Sequence, residues 1–190
     1  HCTATRPDWW AGRKTSQKVA EIKLWHTRDR KWSDIGYHFL IDRDGTIAKG
    51  RPITLDGAHV VGHNKGTIGI SLFGGHGSDA NDDFADHFTP DQDRALRQLI
   101  NTLTATYGAV PVTGHNQYAA KACPGFRVPE WLDDAPMSSP PAANKAGVPP
   151  VEVRPIATKP VVVAETAIDA QQGFWARLIM ALMGIWRGRA

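Results

Sequence analysis

The chain has 190 residues, of which 42% are hydrophobic and 22% charged, values typical of a globular protein with a packed core. Its length leaves room for one domain of ordinary size plus additional segments. Residues 1–135 carry 16 basic and 16 acidic side chains, so the formal net charge of +3 arises from the residues that follow. A body without excess positive charge does not indicate a nucleic-acid-binding protein.

Composition divides the chain into three zones. Residues 1–134 mix helical and strand patterns and are predicted to form the folded domain. Residues 135–170 are rich in Pro and Ala, a composition that favours an extended linker. Residues 171–190 are predicted to form a short amphipathic helix that ends in cationic residues.

The first half of the domain contains a predicted helix and a predicted hairpin. Apolar residues recur at helical spacing over residues 16–26. A strand over residues 37–41, the turn 42–45 and a return strand are typical of a β-hairpin. The glycine-bounded apolar run 67–73 predicts a buried strand.

The second half contains the strongest helix signal, over residues 90–107. Thr89 and Gln92 form the pattern of a capping box, and Gly108 is a natural stop. A further short strand is predicted over residues 110–113. Alternating helices and strands predict an α/β fold with a mixed central sheet flanked by helices.

The most informative stretch for chemistry runs from Gly114 to Phe126. His115 follows the predicted strand, and Lys121 and Cys123 follow after a short loop. A thiolate and an imidazole are ligands that suit zinc. Two protein ligands do not complete a site, and His1 is the candidate for the third.

These residues belong to a wider pattern that resembles the type-2 N-acetylmuramoyl-L-alanine amidases, the family of phage lysozyme-like amidases. The peptidoglycan recognition proteins share its fold. The resemblance extends from His1 to about Trp131 and rests on five motifs. They are His1-Cys2-Thr3-Ala4-Thr5, Trp25-His26, the segment 36–45, Gly66-Thr67-Ile68-Gly69-Ile70, and Gly114-His115 with Lys121-Ala122-Cys123-Pro124.

The resemblance implies a site with one Zn²⁺ per chain. Its metal ligands fall on His1, His115 and Cys123, and its catalytic residues on Tyr37 and Lys121. Three protein ligands leave one tetrahedral position open, as in catalytic rather than structural zinc sites. The implied activity is hydrolysis of the amide between the lactyl group of N-acetylmuramic acid and L-alanine in peptidoglycan.

The two cysteines, Cys2 and Cys123, could alternatively form a disulfide in a secreted protein. The family resemblance instead favours Cys123 as a metal ligand. If His1 begins an extended segment and faces the metal, Cys2 is expected to face the opposite side of the sheet as a small core residue.

Two further residues are predicted to contact substrate. His59 lies in the region between the hairpin and the buried strand, which lines the substrate groove in the family, and Thr67 begins that strand. Four other histidines, His26, His63, His76 and His87, lack a partner pattern and are expected at the surface or in structural hydrogen bonds.

The apolar run 174–186 is too short to span a bilayer, which needs about 20 residues. Its aromatic ends and the following Arg187 and Arg189 favour contact of residues 174–189 with an anionic membrane surface. The alternatives are docking on the body of the protein and self-association.

The favoured function is a phage or prophage endolysin, synthesised in the host cytoplasm and acting on the cell wall. The competing hypothesis is a peptidoglycan-binding module without catalytic activity. Cys123 separates the two, because binding-only relatives commonly lack this ligand. Nothing in the sequence identifies a surface that would regulate a phage RNA polymerase.

Overall fold

The computed structural model describes residues 1–134. The predicted linker, 135–170, and the predicted C-terminal helix, 171–190, lie outside the described residues. Within residues 1–134, none of the helices is both long and apolar enough to cross a membrane.

A small mixed sheet forms the centre of the fold. Strands β1 (Phe39–Ile41) and β2 (Ile47–Lys49) are antiparallel, with Leu40 opposite Ala48. The predicted turn joins them, and Gly45 adopts a φ of 82° and donates its N–H to the Asp42 carbonyl. Strand β3 (Ile70–Leu72) runs parallel to β1, which gives the order β2-β1-β3.

The N-terminal segment extends this sheet along the free edge of β3. The Leu72 N–H donates to the His1 carbonyl at 2.9 Å, and the Thr3 N–H donates to the Leu72 carbonyl at 2.9 Å. A second parallel bridge joins Thr5 to Gly75. These bonds attach His1 to the central sheet.

Helices cover both faces of the sheet. Because side chains alternate along a strand, Phe39 and Ile41 of β1 face one layer and Leu40 faces the other. The first layer contains helix α3 (Pro90–Tyr107), and the second contains helix α1 (Thr15–Leu24). The predicted α/β fold with a mixed sheet is therefore confirmed.

Helix α3 begins and ends where its sequence predicts. The Gln92 N–H donates to the Thr89 hydroxyl at 3.1 Å, and the Thr89 N–H donates to the Gln92 amide oxygen at 3.1 Å. The fully buried Gln92 amide also donates to the carbonyls of Ile41 and Phe73. Gln92 thus completes the capping box and joins the helix to β1 and to the residue that follows β3.

The remaining helices are short. Helix α1 continues into a π-helical turn, Trp25–Asp29, so the predicted helix 16–26 begins and ends near its observed bounds. Helices α2 (Phe84–His87) and α4 (Val128–Asp133) pack aromatic side chains against each other, with Phe84 stacked on Trp131.

The strand predicted over residues 110–113 is wrong. This segment is irregular, and Val110 is 48% exposed. Pro111 lacks the N–H that a ladder requires, and the preceding residues Gly108 and Ala109 are exposed. The segment is an irregular connection between helix α3 and Gly114.

Candidate metal centre and active site

Three segments bring metal-ligating side chains together at one end of the sheet. His1 lies on the segment that pairs with β3, and His115 begins a 3₁₀ turn, His115–Gln117. Cys123 lies in the loop that follows. The candidate ligand atoms of these three residues all lie within 4.8 Å of one another.

Hydrogen bonds within the loop 114–126 hold two of these ligands in place. The Asn116 N–H donates to the Cys123 carbonyl at 2.8 Å, which closes the loop directly between His115 and Cys123. The Asn116 side-chain amide donates to the Phe126 carbonyl at 3.1 Å. A Cβ on Gly114 would lie 2.3 Å from the Asn116 amide oxygen, so a larger residue there would have to displace the Asn116 side chain.

The environment of Cys123 favours a thiolate. A hydrogen bond from the Cys2 thiol lowers the pKa of Cys123, and the N-terminal charge, the Cys2 N–H and His115 act in the same direction. The Cys2 N–H lies 3.3 Å from the Cys123 sulfur. A thiolate is the form of cysteine that binds a metal.

Both cysteines are free thiols. Cys2 is buried in the core, as predicted, in the same cluster as Phe39, Ile41 and Leu72. Its thiol also forms a hydrogen bond with Cys123.

One distance in the cluster matches the geometry of a zinc site. Zn–N bonds of 2.0–2.1 Å and Zn–S bonds of 2.3 Å, at a tetrahedral angle, place nitrogen and sulfur about 3.6 Å apart. His1 Nδ1 lies 3.6 Å from the Cys123 sulfur. Two imidazoles and one thiolate are also a ligand set that suits zinc.

Tyr37 lies beside this cluster. Its ring centroid is 5.3 Å from that of His1, and the His1 and His115 rings are 4.8 Å apart. Burial raises the pKa of Tyr37 above its usual value, and the negative charge of Cys123 adds to the effect. The phenol therefore stays protonated at neutral pH and can donate a hydrogen bond.

Comparison with known proteins identifies the family. The profile of the family described as N-acetylmuramoyl-L-alanine amidase matches residues 1–126. This chain belongs to that family. It is 41% identical over 133 residues to the endolysin of Escherichia phage T7, an alignment that covers 70% of this chain and 82% of the phage protein.

Solved structures agree with this assignment. The N-acetylmuramoyl-L-alanine amidase LysC from Clostridium intestinale aligns with a TM-score of 0.54 at 31% identity, over 70% of this chain and 80% of LysC. Bumblebee peptidoglycan recognition protein SA aligns with a TM-score of 0.56 at 26% identity, over 70% and 77% of the two chains.

The second predicted catalytic residue of this amidase, Lys121, lies two positions before Cys123 on the exposed side of the same loop. Its N–H donates to the Ala119 carbonyl at 2.8 Å, two positions before the candidate ligand Cys123. The Lys121 side chain is exposed.

The two predicted substrate contacts of the amidase lie on one loop, and His59 contacts the candidate metal ligand His1. Its Nδ1 lies 3.1 Å from His1 Nε2. Thr67 lies on the outer side of His59, with its hydroxyl oxygen 3.4 Å from His59 Nε2. Sequence reasoning missed the contact with His1, because no spacing rule connects residues 58 positions apart.

Burial also affects two histidines outside the candidate ligand set. Desolvation lowers the pKa of His59 and of His26 to about 4. His26 accepts a hydrogen bond from the Gly36 N–H at 3.0 Å, and His87 pairs with Asp82 at 2.7 Å. His26 and His87 thus form structural hydrogen bonds, as predicted. His63 and His76 are exposed at the surface, as predicted.

Proposed function

We propose that this amidase is zinc-dependent, with one zinc per chain held by His1, His115 and Cys123. Its substrate is the amide between the lactyl group of N-acetylmuramic acid and L-alanine in peptidoglycan, and its biological role is that of a phage or prophage endolysin. The observation that supports zinc most directly is the convergence of the three ligand atoms within 4.8 Å.

The residues around the cluster have distinct parts in this reaction. His1, His115 and Cys123 would hold the ion, which would supply Lewis-acid activation of a water molecule and of the substrate carbonyl. The protonated phenol of Tyr37 donates a hydrogen bond to the carbonyl oxygen as negative charge develops on it. The Lys121 ammonium supplies a second donor and positive charge on the exposed side.

The test measures which bond is cut and whether zinc is needed. Purified peptidoglycan is digested, and new free amino groups of L-alanine and new reducing sugar ends are quantified separately. We expect free amino groups only, loss of their release after treatment with a zinc chelator, and recovery when zinc is restored.

Matched variants assign the metal site. His115→Ala and Cys123→Ser should lose bound zinc and amide hydrolysis together. His76→Ala is the control, because this histidine is exposed and lies outside the ligand cluster. Hydrolysis by zinc-free wild type, or full activity of Cys123→Ser, would contradict the proposed mechanism.

The cell-wall site of action implies synthesis in the host cytoplasm followed by access to the wall. We further propose that residues 174–189 contact anionic membrane, on the basis of their aromatic and cationic composition. Exchanging both Arg187 and Arg189 for Ala in the full chain should weaken binding to anionic vesicles and leave amide hydrolysis unchanged. Equal vesicle binding by variant and wild type would contradict this assignment.

A further inference from the structure

The two ring nitrogens of His1 face different partners. Nδ1 faces the Cys123 sulfur at 3.6 Å, whereas Nε2 faces His59 Nδ1 at 3.1 Å. A neutral imidazole has one lone pair and one N–H. If Nδ1 gives its lone pair to a metal, Nε2 carries the proton and donates it to His59.

The surroundings of His59 fit the role of acceptor. With Nδ1 accepting from His1, His59 carries its own proton on Nε2, which faces the Thr67 hydroxyl oxygen at 3.4 Å. That hydroxyl has carbonyl acceptors at His63 and Asn64, each 2.9 Å away. Its proton therefore points away from His59, and an oxygen lone pair remains available to accept from Nε2.

Backbone packing fixes the His59 ring in this position. A Cβ on Gly57 would lie 2.4 Å from His59 Cδ2, and a Cβ on Gly69 would lie 2.5 Å from the same atom. Both glycines thus allow the backbone to approach the ring closely. The Asn64 amide oxygen accepts the N–H groups of His59 and Val60 at 2.8 Å each, which holds the loop.

We propose that His59 is a positioning residue for the metal centre, which holds His1 with Nδ1 directed at the metal. This inference rests on the proposed function, because it requires that His1 bind zinc. In this role, His59 contacts His1 rather than peptidoglycan. A metal-bound histidine usually donates its second N–H to a hydrogen-bond acceptor. Loss of that acceptor typically lowers metal affinity about 10–100-fold.

The test is zinc affinity of the full chain, measured by competition with a chromogenic chelator. His59→Leu keeps much of the volume and removes the acceptor, so affinity should fall about 10–100-fold. His59→Asn places an amide oxygen where Nδ1 stood and should restore most of the affinity. His63→Leu, on the same loop with its ring against Tyr118, is the matched control and should bind zinc like wild type.

A second readout reports the hydrogen bond itself. In zinc-loaded wild type, ¹⁵N NMR should show His1 protonated at Nε2, with slow exchange of that proton with water. The exchange should accelerate in His59→Leu and slow again in His59→Asn. Thr67→Val, which leaves the His59 ring in place and removes its outer acceptor, should give a smaller loss of zinc affinity than His59→Leu.

The possible results distinguish the proposal that the protein binds zinc from the proposal that His59 positions His1. Wild type that binds no zinc would overturn the proposed function and this inference with it. Equal zinc affinities of wild type, His59→Leu and His59→Asn would overturn the positioning role alone. In that case, a raised KM for peptidoglycan fragments in His59→Leu would assign His59 to the substrate groove instead.

Discussion

Helix α3 and the metal-ligand cluster are specified by the sequence in opposite ways. Every signal that defines α3 lies between Thr89 and Gly108, within the helix or next to it. The ligand cluster joins His1 to Cys123, side chains separated by 122 positions and carried by irregular segments. We therefore expect substitution of a side chain beside the cluster that does not bind the metal, such as Tyr37, to change chemistry with little effect on folding, and substitutions in α3 to do the reverse.

The largest expected effect is on turnover, at Tyr37. Removing one hydrogen-bond donor to a developing oxyanion costs about 100–1000-fold in kcat, so Tyr37→Phe should lose activity in that range. Zinc content and the urea midpoint of unfolding should stay near the wild-type values. Tyr118→Phe removes an exposed hydroxyl that pairs with Thr113 and should remain active. Equal kcat for the two variants would remove Tyr37 from the reaction.

The next effect is on stability, in α3. Leu99 is 1% exposed in the core, and truncating such a leucine costs about 2–5 kcal/mol in free energy of unfolding. Leu99→Ala should therefore unfold at lower urea while the folded fraction keeps wild-type turnover. Leu24→Ala, at a position that is 47% exposed, should change stability by less than about 0.5 kcal/mol. A loss of turnover in folded Leu99→Ala would show that the two regions are coupled.

The next prediction concerns His26 and the pH dependence of the free energy of unfolding. Burial, together with the charges of Arg30 and Arg51, holds the pKa of His26 at about 4, below the 6.5 of an unfolded chain. Between these values the unfolded chain binds more protons, so the free energy of unfolding falls as pH drops from 6.5 toward 4. The contribution of one such group is at most about 1.4 kcal/mol per pH unit.

His26→Asn isolates this contribution. Its amide oxygen can accept the Gly36 N–H without titrating, so the free energy of unfolding should depend less on pH between 4 and 6.5 than in wild type. His76→Asn, at an exposed position, should retain the wild-type slope. Identical slopes for all three proteins would exclude His26 as a source of acid sensitivity.

The smallest effect concerns the helix cap. Thr89→Ala removes the hydroxyl that accepts the Gln92 N–H and should reduce the free energy of unfolding by about 1 kcal/mol. Thr89→Ser keeps the acceptor and should retain most of the stability. Thermal or urea unfolding measures both variants, and equal losses would contradict the capping role.

The sequence predicted best the elements whose determinants are local. The capping box and apolar spacing of α3, and the Asp42–Gly45 turn between β1 and β2, each concern residues a few positions apart. The strand expected at 110–113 failed because an apolar pattern does not reveal whether a neighbouring strand is present. Here Pro111 and exposed flanking residues prevent pairing.

The candidate site could be predicted only through the family resemblance. His115, Lys121 and Cys123 form a compact motif, but their convergence with His1 depends on the pairing of the N-terminal segment with β3. The contacts of His59 with His1, and of Cys2 with Cys123, are long-range consequences of this pairing. No periodicity within a single segment encodes them.

The attachment of His1 to β3 has a consequence for the thermodynamics of the whole domain. A metal that binds His1 and Cys123 together closes a covalent-like loop that contains nearly all of residues 1–134. Because such a site is lost when the chain unfolds, the ion would stabilise the fold through its binding free energy, by about 2.7 kcal/mol when free zinc is at 100 times its Kd. Removal of zinc would therefore lower the free energy of unfolding of the domain as well as stop amide hydrolysis.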